Sequence, residues 1–322
     1  MVVSARRCGD RSRGIRSVLV GISRRVVIIT SGLVGVGAGV GGWALLAENR
    51  LAPGRSLIDQ AMGRCDIPTP LLDAKPGRLV EGSFFSAHRR KTVSYTLAYP
   101  PKAVPGARLP VCLVLHGYGV DHDAAFDDIG YHRLLAAVVG ARTPPFVLAS
   151  VDGGDGYWHP HAAGAASADD PLGMLTKDFP VVLSQHGLLV NRFAMLGWSM
   201  GGFGALLAAT ETPQRFVAVA ASAPAFWRSF DEARSVNEGA FESADEWREW
   251  GDLLSRAEKL KRLRMRIDCG DSDSFASAVK ALRDRLSDPA VVHLATGCHD
   301  DAFWRAAAPA QLRFIGDAFK AR

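Results

Sequence analysis

Apolar residues in this chain gather into short runs, of which Leu109–Leu115 is continuous. Leu109–Leu115 (LPVCLVL), Phe146–Val151, Arg192–Leu196, Phe216–Ser222, Met265–Gly270 and Val291–Ala295 each have the length of a strand. A run with little alternation is the pattern of a strand covered on both faces. Between these runs lie helical patterns: Phe203–Ala209 is rich in good helix formers, Leu172–Gly187 is amphipathic, and a last helix runs to about Phe319. Strand alternating with helix predicts an α/β fold with a mainly parallel central sheet and helices on both faces. Upstream, Gly82–Ser86 and Thr92–Tyr99 are β-rich and separated by the polar Ala87–Lys91, a hairpin pattern that Pro100 and Pro101 stop. Residues 223–256 break the alternation. They are irregular and charged and carry Trp227, Trp247 and Trp250, which suits either a cap over a site or a surface insertion.

The N-terminal pattern is of another kind. Val26–Ala47 is 22 residues without a charge, about 33 Å as a helix and long enough to cross a bilayer core. Arg24 and Arg25 stand directly before it, as in a twin-arginine export signal. Glycines 32, 35, 37, 39, 41 and 42 dilute its hydrophobicity, and Leu45-Leu46-Ala47 is a poor cleavage site. The expected organisation is a basic cytoplasmic segment 1–25, a signal or transmembrane anchor 26–47, a linker 48–77 and a catalytic domain 78–322. The arginine excess puts the N-terminus in the cytoplasm and the body outside, so the membrane is a partner through residues 26–47.

This segment also explains the charge. Of the net +5, residues 1–47 contribute seven arginines against Asp10; removing these from 38 basic and 33 acidic residues leaves 31 against 32. A body without basic excess gives no ground for nucleic-acid binding. With 48% hydrophobic and 22% charged residues, 322 residues can bury a large core.

Candidate chemistry centres on Gly197-Trp198-Ser199-Met200-Gly201-Gly202, a G-x-S-x-G placed where a strand hands over to a helix. A sharp turn there lifts the serine hydroxyl clear of the backbone. Glycines at 197 and 201 remove Cβ atoms that would collide, and the helix N-terminus offers N–H groups to an oxyanion. After the run 109–115 comes His116-Gly117-Tyr118-Gly119, where the N–H of Tyr118 or of Gly117 can pair with that of Met200 as a second oxyanion donor.

Nucleophilic serine chemistry also needs a base and a carboxylate that orients it. His299, after the last strand, is the candidate base. Asp273 or Asp271, after the penultimate strand, is the acid. Asp273 is favoured because it lies two residues further off the strand end, while Asp268 falls inside the strand. The loop Asp152–His161 lies at a strand's C-terminal end, where α/β sheets place ligands, and Tyr157 and Trp158 are candidate walls of a substrate pocket. His159 and His161 form an H-x-H pair with no third ligand evident nearby, so neither a metal nor a cofactor is expected.

On GSFFSAHRRKTVSYTLAYPP, LVLHGYG, DGGDGYWHP, GWSMGGFGAL, GDSDSF and GCHDDAFWR, residues 80–320 resemble the esterase D and mycolyltransferase-like esterases of the α/β-hydrolase superfamily. The resemblance implies an α/β-hydrolase fold with Ser199 as nucleophile, Asp273 as acid, His299 as base, and Tyr118 and Met200 as oxyanion donors. It implies hydrolysis of a small-molecule or lipid acyl ester or thioester, or acyl transfer to a sugar or lipid alcohol. A non-catalytic hydrolase-fold binding protein is the contrasting expectation. The second aspartate, Asp271, departs from the family pattern.

Five cysteines make an odd count. Cys8 precedes the apolar segment, Cys112 lies in a buried strand, and Cys65 has no evident partner. Cys269 and Cys298 flank the acid and histidine loops. An exported domain admits a disulfide between them that would hold Asp273 near His299.

Overall fold

The computed structural model describes residues 65–321 except 105, 141–142, 162–168 and 262. The predicted basic segment 1–25, the export or anchor segment 26–47 and the linker as far as residue 64 lie outside the described residues, as does Cys8. Among the described residues no helix is long and apolar enough to cross a membrane.

The predicted runs form one eight-stranded sheet: β1 Leu79–Ser86, β2 Lys91–Ala98, β3 Pro110–Leu115, β4 Val147–Val151, β5 Leu189–Trp198, β6 Phe216–Ser222, β7 Met265–Gly270 and β8 Val292–Ala295, in spatial order β1-β2-β4-β3-β5-β6-β7-β8. β1 and β2 pair antiparallel as a hairpin and β2 meets β4 antiparallel; every pairing from β4 to β8 is parallel.

Strand alternation sends side chains to two separate cores. Val111, Leu113 and Leu115 of β3 face one; Cys112 and Val114 face the other. The principal helices are α1 Tyr131–Val138, α2 Phe179–Gln185, α3 Met200–Glu211, α4 Phe230–Val236, α5 Ala276–Arg283 and α6 Asp301–Lys320. The first core takes Phe179 and Leu183 of α2, Phe203 and Leu206 of α3, and Leu282 of α5; the second takes Leu134 of α1 and Leu312, Ile315 and Phe319 of α6. α3 is buried from Met200 through Thr210, as a helix apolar all round must be. The amphipathic stretch before β5 is helical from Pro171 but passes through a π-helical turn, Met174–Asp178, before α2. Pro180 supplies the reason: it has no N–H to continue the i→i−4 ladder into that turn.

The described part of the predicted linker lies against the domain. Leu72 packs on the second core, and its carbonyl accepts from Arg133. Cys65 forms a disulfide with Cys298. This corrects the expected Cys269–Cys298 pairing and gives Cys65 its partner. Cys269 is a free thiol on β7, fully buried and turned into the first core, and burial pushes its pKa up. Its side chain is committed beneath the sheet, so adjacency of the two loops does not bring the sulfurs together.

Candidate active site

Sheet order brings the C-terminal ends of β3, β5, β7 and β8 to one edge, and each delivers one part of the site. β5 ends at Trp198, and Ser199 follows as the N-cap of α3 with φ 54° and ψ −123°. That conformation is rare for a residue with a Cβ and persists only where its surroundings over-determine it. Here they do. The Ser199 N–H donates to the Ser222 carbonyl, and the Ser199 carbonyl accepts from Phe203 and Ala225. A Cβ on Gly197 would stand 2.1 Å from the Gly201 carbonyl oxygen, and one on Gly201 would stand 2.0 Å from that of Leu115. Both positions are therefore closed to any side chain.

His299 follows β8. Its Nε2 lies 2.8 Å from Ser199 Oγ, and its Nδ1 lies 2.7 Å from Asp273 Oδ2. The Asp273 carboxylate is fully buried, and its other oxygen accepts from the Phe275 N–H at 2.7 Å. A carboxylate acceptor at Nδ1 keeps the proton there and leaves the Nε2 lone pair facing the serine. Asp271 is exposed and takes its hydroxyl bond from the adjacent Ser272; it is not brought to the ring. Asp268 lies inside β7, as expected, and is engaged by Arg266 and by Gln311 of α6.

The turn after β3 covers the serine. A Cβ on Gly117 would lie 3.5 Å from Ser199 Cβ, so the glycine marks a close approach. The turn is held from two sides. The buried His116 donates from Nδ1 to the Gly117 carbonyl at 2.7 Å, while its Nε2 accepts from the Gly153 N–H at 2.9 Å. The Gly119 N–H donates to Asp155. Met200 opens α3, so its N–H is one of the helix's first donors, which lack intrahelical acceptors.

A cleft of about 260 Å³ lies over Ser199 and His299. Gly117, Tyr118, Val120, Ile129, Trp198 and Trp304 line it, and Asp128 and Asp301 bring two acidic residues to the lining. Burial and then the charge of Asp301 raise the Asp128 pKa; burial also raises that of Asp301, against the opposing effect of Arg305.

Tyr157 and Trp158, expected to wall a substrate pocket, do not reach this cleft, which is a correction. Both have left-handed backbone, φ 51° and 60°, and turn their rings inward. Trp158 is fully buried against His116, with its ring where a Cβ on Gly204 would be, and donates to the His116 carbonyl. Tyr157 packs among Phe203, Trp227 and Phe241. The residues that do hold His299 are Phe275 and Trp304, with ring centroids 5.0 and 5.2 Å from the imidazole. Both sit in motifs visible in the sequence, GDSDSF and GCHDDAFWR, but nothing in the sequence ties either ring to the imidazole. Residues 223–256 include α4, and through Trp227 they pack on Phe275.

Sheet order, the strained serine turn and the placement of the histidine define an α/β-hydrolase. Solved structures of that fold align closely. A ferulic acid esterase matches with a TM-score of 0.61 at 19% identity, covering 76% of this chain and 100% of that one. An S-formylglutathione hydrolase from Agrobacterium tumefaciens matches at 0.63 and 20%, covering 78% and 98%. A fluorophosphonate-binding serine hydrolase from Staphylococcus aureus matches at 0.60 and 17%, covering 75% and 99%. No curated relative matches the sequence. Residues 88–315 match the family described as "Putative esterase". The chain belongs to that family and is a carboxylic ester hydrolase.

Proposed function

We propose that the chain is an exported serine esterase that works through an acyl-enzyme on Ser199. Ser199 Oγ attacks the ester carbonyl carbon as its proton passes to His299 Nε2, and Asp273 holds the resulting imidazolium through Nδ1–H. The carbonyl electrons move to oxygen, where the N–H groups of Met200 and of Tyr118 or Gly117 receive the charge; each such donor is worth about 10²–10³ in rate. His299 returns its proton to the departing alkoxide, which leaves as the alcohol, and the acyl group stays on Oγ. Water then loses a proton to Nε2 and attacks the acyl carbon. The bond to Oγ breaks, Oγ regains the proton, and the carboxylic acid departs.

One observation carries this reading: the continuous relay from Ser199 Oγ to His299 at 2.8 Å and on to Asp273 at 2.7 Å. The cleft narrows the substrate. Its volume of about 260 Å³ falls below the roughly 300–1,000 Å³ of sites for drug-sized ligands, which favours a short acyl chain. The Asp128 and Asp301 carboxylates repel an anionic substrate. On charge, a neutral ester therefore suits the site better than an anionic one such as a glutathione thioester. Export is supported by the basic, uncharged-core N-terminus and by a disulfide of the kind that persists in oxidising compartments.

The test is hydrolysis of p-nitrophenyl esters across chain lengths, together with fluorophosphonate labelling. We expect turnover of short chains and one labelled serine, with Ser199→Ala losing on the order of 10⁶ in kcat and all labelling. Retained turnover or labelling in that variant would falsify the assignment. Adding an alcohol acceptor and measuring new ester separates hydrolysis from acyl transfer.

A further inference from the structure

Away from the serine, the loop after β4 and the segment 223–256 meet at a buried trio. His159 and His161 come from the loop, and Glu246 comes from the helical turn Ala244–Glu246. Their rings and carboxylate are buried or nearly so, and one ligand atom from each lies within 4.8 Å of the other two. We infer that these three residues bind a divalent metal ion of the zinc type.

Three features point to a cation. First, Glu246 is 7% exposed, and its Oε1 is buried without a hydrogen-bond partner. That oxygen faces both Nδ1 atoms, at 3.6 Å from His161 and 3.9 Å from His159. These separations are too long for hydrogen bonds. They are close to the roughly 3.4 Å between neighbouring donors that surround zinc tetrahedrally at about 2.1 Å.

Second, the far nitrogen of each ring is already spoken for. His161 Nε2 lies 2.8 Å from the Gly156 carbonyl oxygen and His159 Nε2 lies 3.0 Å from that of Ala240. Each Nε2–H then donates to a carbonyl and leaves the Nδ1 lone pair free, the arrangement that orients a metal-ligating histidine.

Third, His159 Nδ1 also lies 2.9 Å from the Pro160 carbonyl oxygen. A neutral imidazole has one N–H. With that proton on Nε2, lone pair faces lone pair at Nδ1, a repulsion that a metal cation seated there relieves as a second ring proton would. The Pro160 oxygen is then a candidate fourth ligand. Two imidazoles, a carboxylate and a carbonyl suit zinc or a similar borderline ion better than calcium or magnesium. The ion would join two segments far apart in the chain, and residues 223–256 also supply Trp227, which packs on Phe275 beside His299.

The intact protein is treated with a chelator, dialysed, then titrated with Zn²⁺. Bound metal is measured after gel filtration, alongside Tm. The expected result is about one equivalent per chain and a Tm raised by roughly 5–10 °C at an ion concentration near one hundred times Kd. Co²⁺ in its place should give the visible d–d absorption of a four-coordinate site. Glu246→Gln and His161→Gln should each abolish the stoichiometric binding, the spectrum and the shift. Less than about 0.1 equivalent in the wild-type protein, an unchanged Tm, or undiminished binding by Glu246→Gln overturns the inference. If a variant fails to fold, the wild-type titration and its cobalt spectrum still decide the matter.

Discussion

Asp273→Asn separates the role of the carboxylate from its shape. In the native site Oδ1 accepts from the Phe275 N–H and Oδ2 faces His299 Nδ1, each at 2.7 Å. Asparagine keeps only one acceptor oxygen. The Phe275 N–H is a backbone donor in a buried place and claims that oxygen. The amide NH₂ then faces Nδ1, and donor meets donor unless the imidazole changes tautomer. The proton moves to Nε2, where it points at Ser199 Oγ, and the base is lost. The same exchange removes the anion that would stabilise an imidazolium. The expected loss is about 10⁴ in kcat, or roughly 5.5 kcal/mol of barrier, with KM and Tm little changed. Asp271→Asn is the internal control: its exposed carboxylate touches no part of the relay, so it should retain near-native kcat. The assay is p-nitrophenyl acetate turnover on variants matched by thermal melt. If folded Asp273→Asn keeps more than about a tenth of wild-type kcat, or if Asp271→Asn falls as far, the tautomer argument is wrong.

Cys65→Ser, or reduction of the disulfide, releases a closure spanning 233 residues. It should cost about 2–4 kcal/mol, read as a Tm lower by roughly 4–16 °C. Because Cys298 adjoins His299, kcat should fall too; an unchanged melt would refute the structural role. Gly201→Ala sets a Cβ 2.0 Å from the Leu115 carbonyl oxygen, and backbone cannot step aside cheaply. A destabilisation of about 3 kcal/mol or more is expected by denaturant titration, and a variant as stable as wild type would contradict the packing. The Asp128 pKa is raised in the fold by burial and by Asp301 above its ordinary 3.8. The folded state therefore holds that proton more tightly than the unfolded chain, and this group subtracts stability as pH rises through the unfolded and then the folded value. Asp128→Asn should consequently raise Tm at pH 7, and the gain should vanish below the ordinary value. It should also raise kcat/KM for an anionic ester relative to a neutral one, and a variant with unchanged preference would remove the carboxylates from substrate selection.

Much of this protein could be read without coordinates, because its signals are local. Runs such as Val111–Leu115 must be strands covered on both faces, and all six predicted crossover strands are present. The turn at Ser199 announced itself through Gly197 and Gly201, since only glycine fits where a backbone carbonyl would stand about 2 Å from a Cβ. The choice of Asp273 over Asp271 followed from reach along a loop, a distance of two residues.

Tertiary structure decided whatever depends on residues distant in the chain or on the direction in which a side chain turns. Cys65 reaches Cys298 because the segment before β1 lies along the domain, and nothing in the spacing of five cysteines encodes that path. Tyr157 and Trp158 stand in a loop at the right end of the sheet, yet positive φ turns both rings into the core. Glu246 meets His159 and His161 from 85 residues beyond the second histidine. Local sequence dictates backbone preference and burial over a few residues; which distant groups share a few ångströms is set only when the sheet closes its order and the loops are packed.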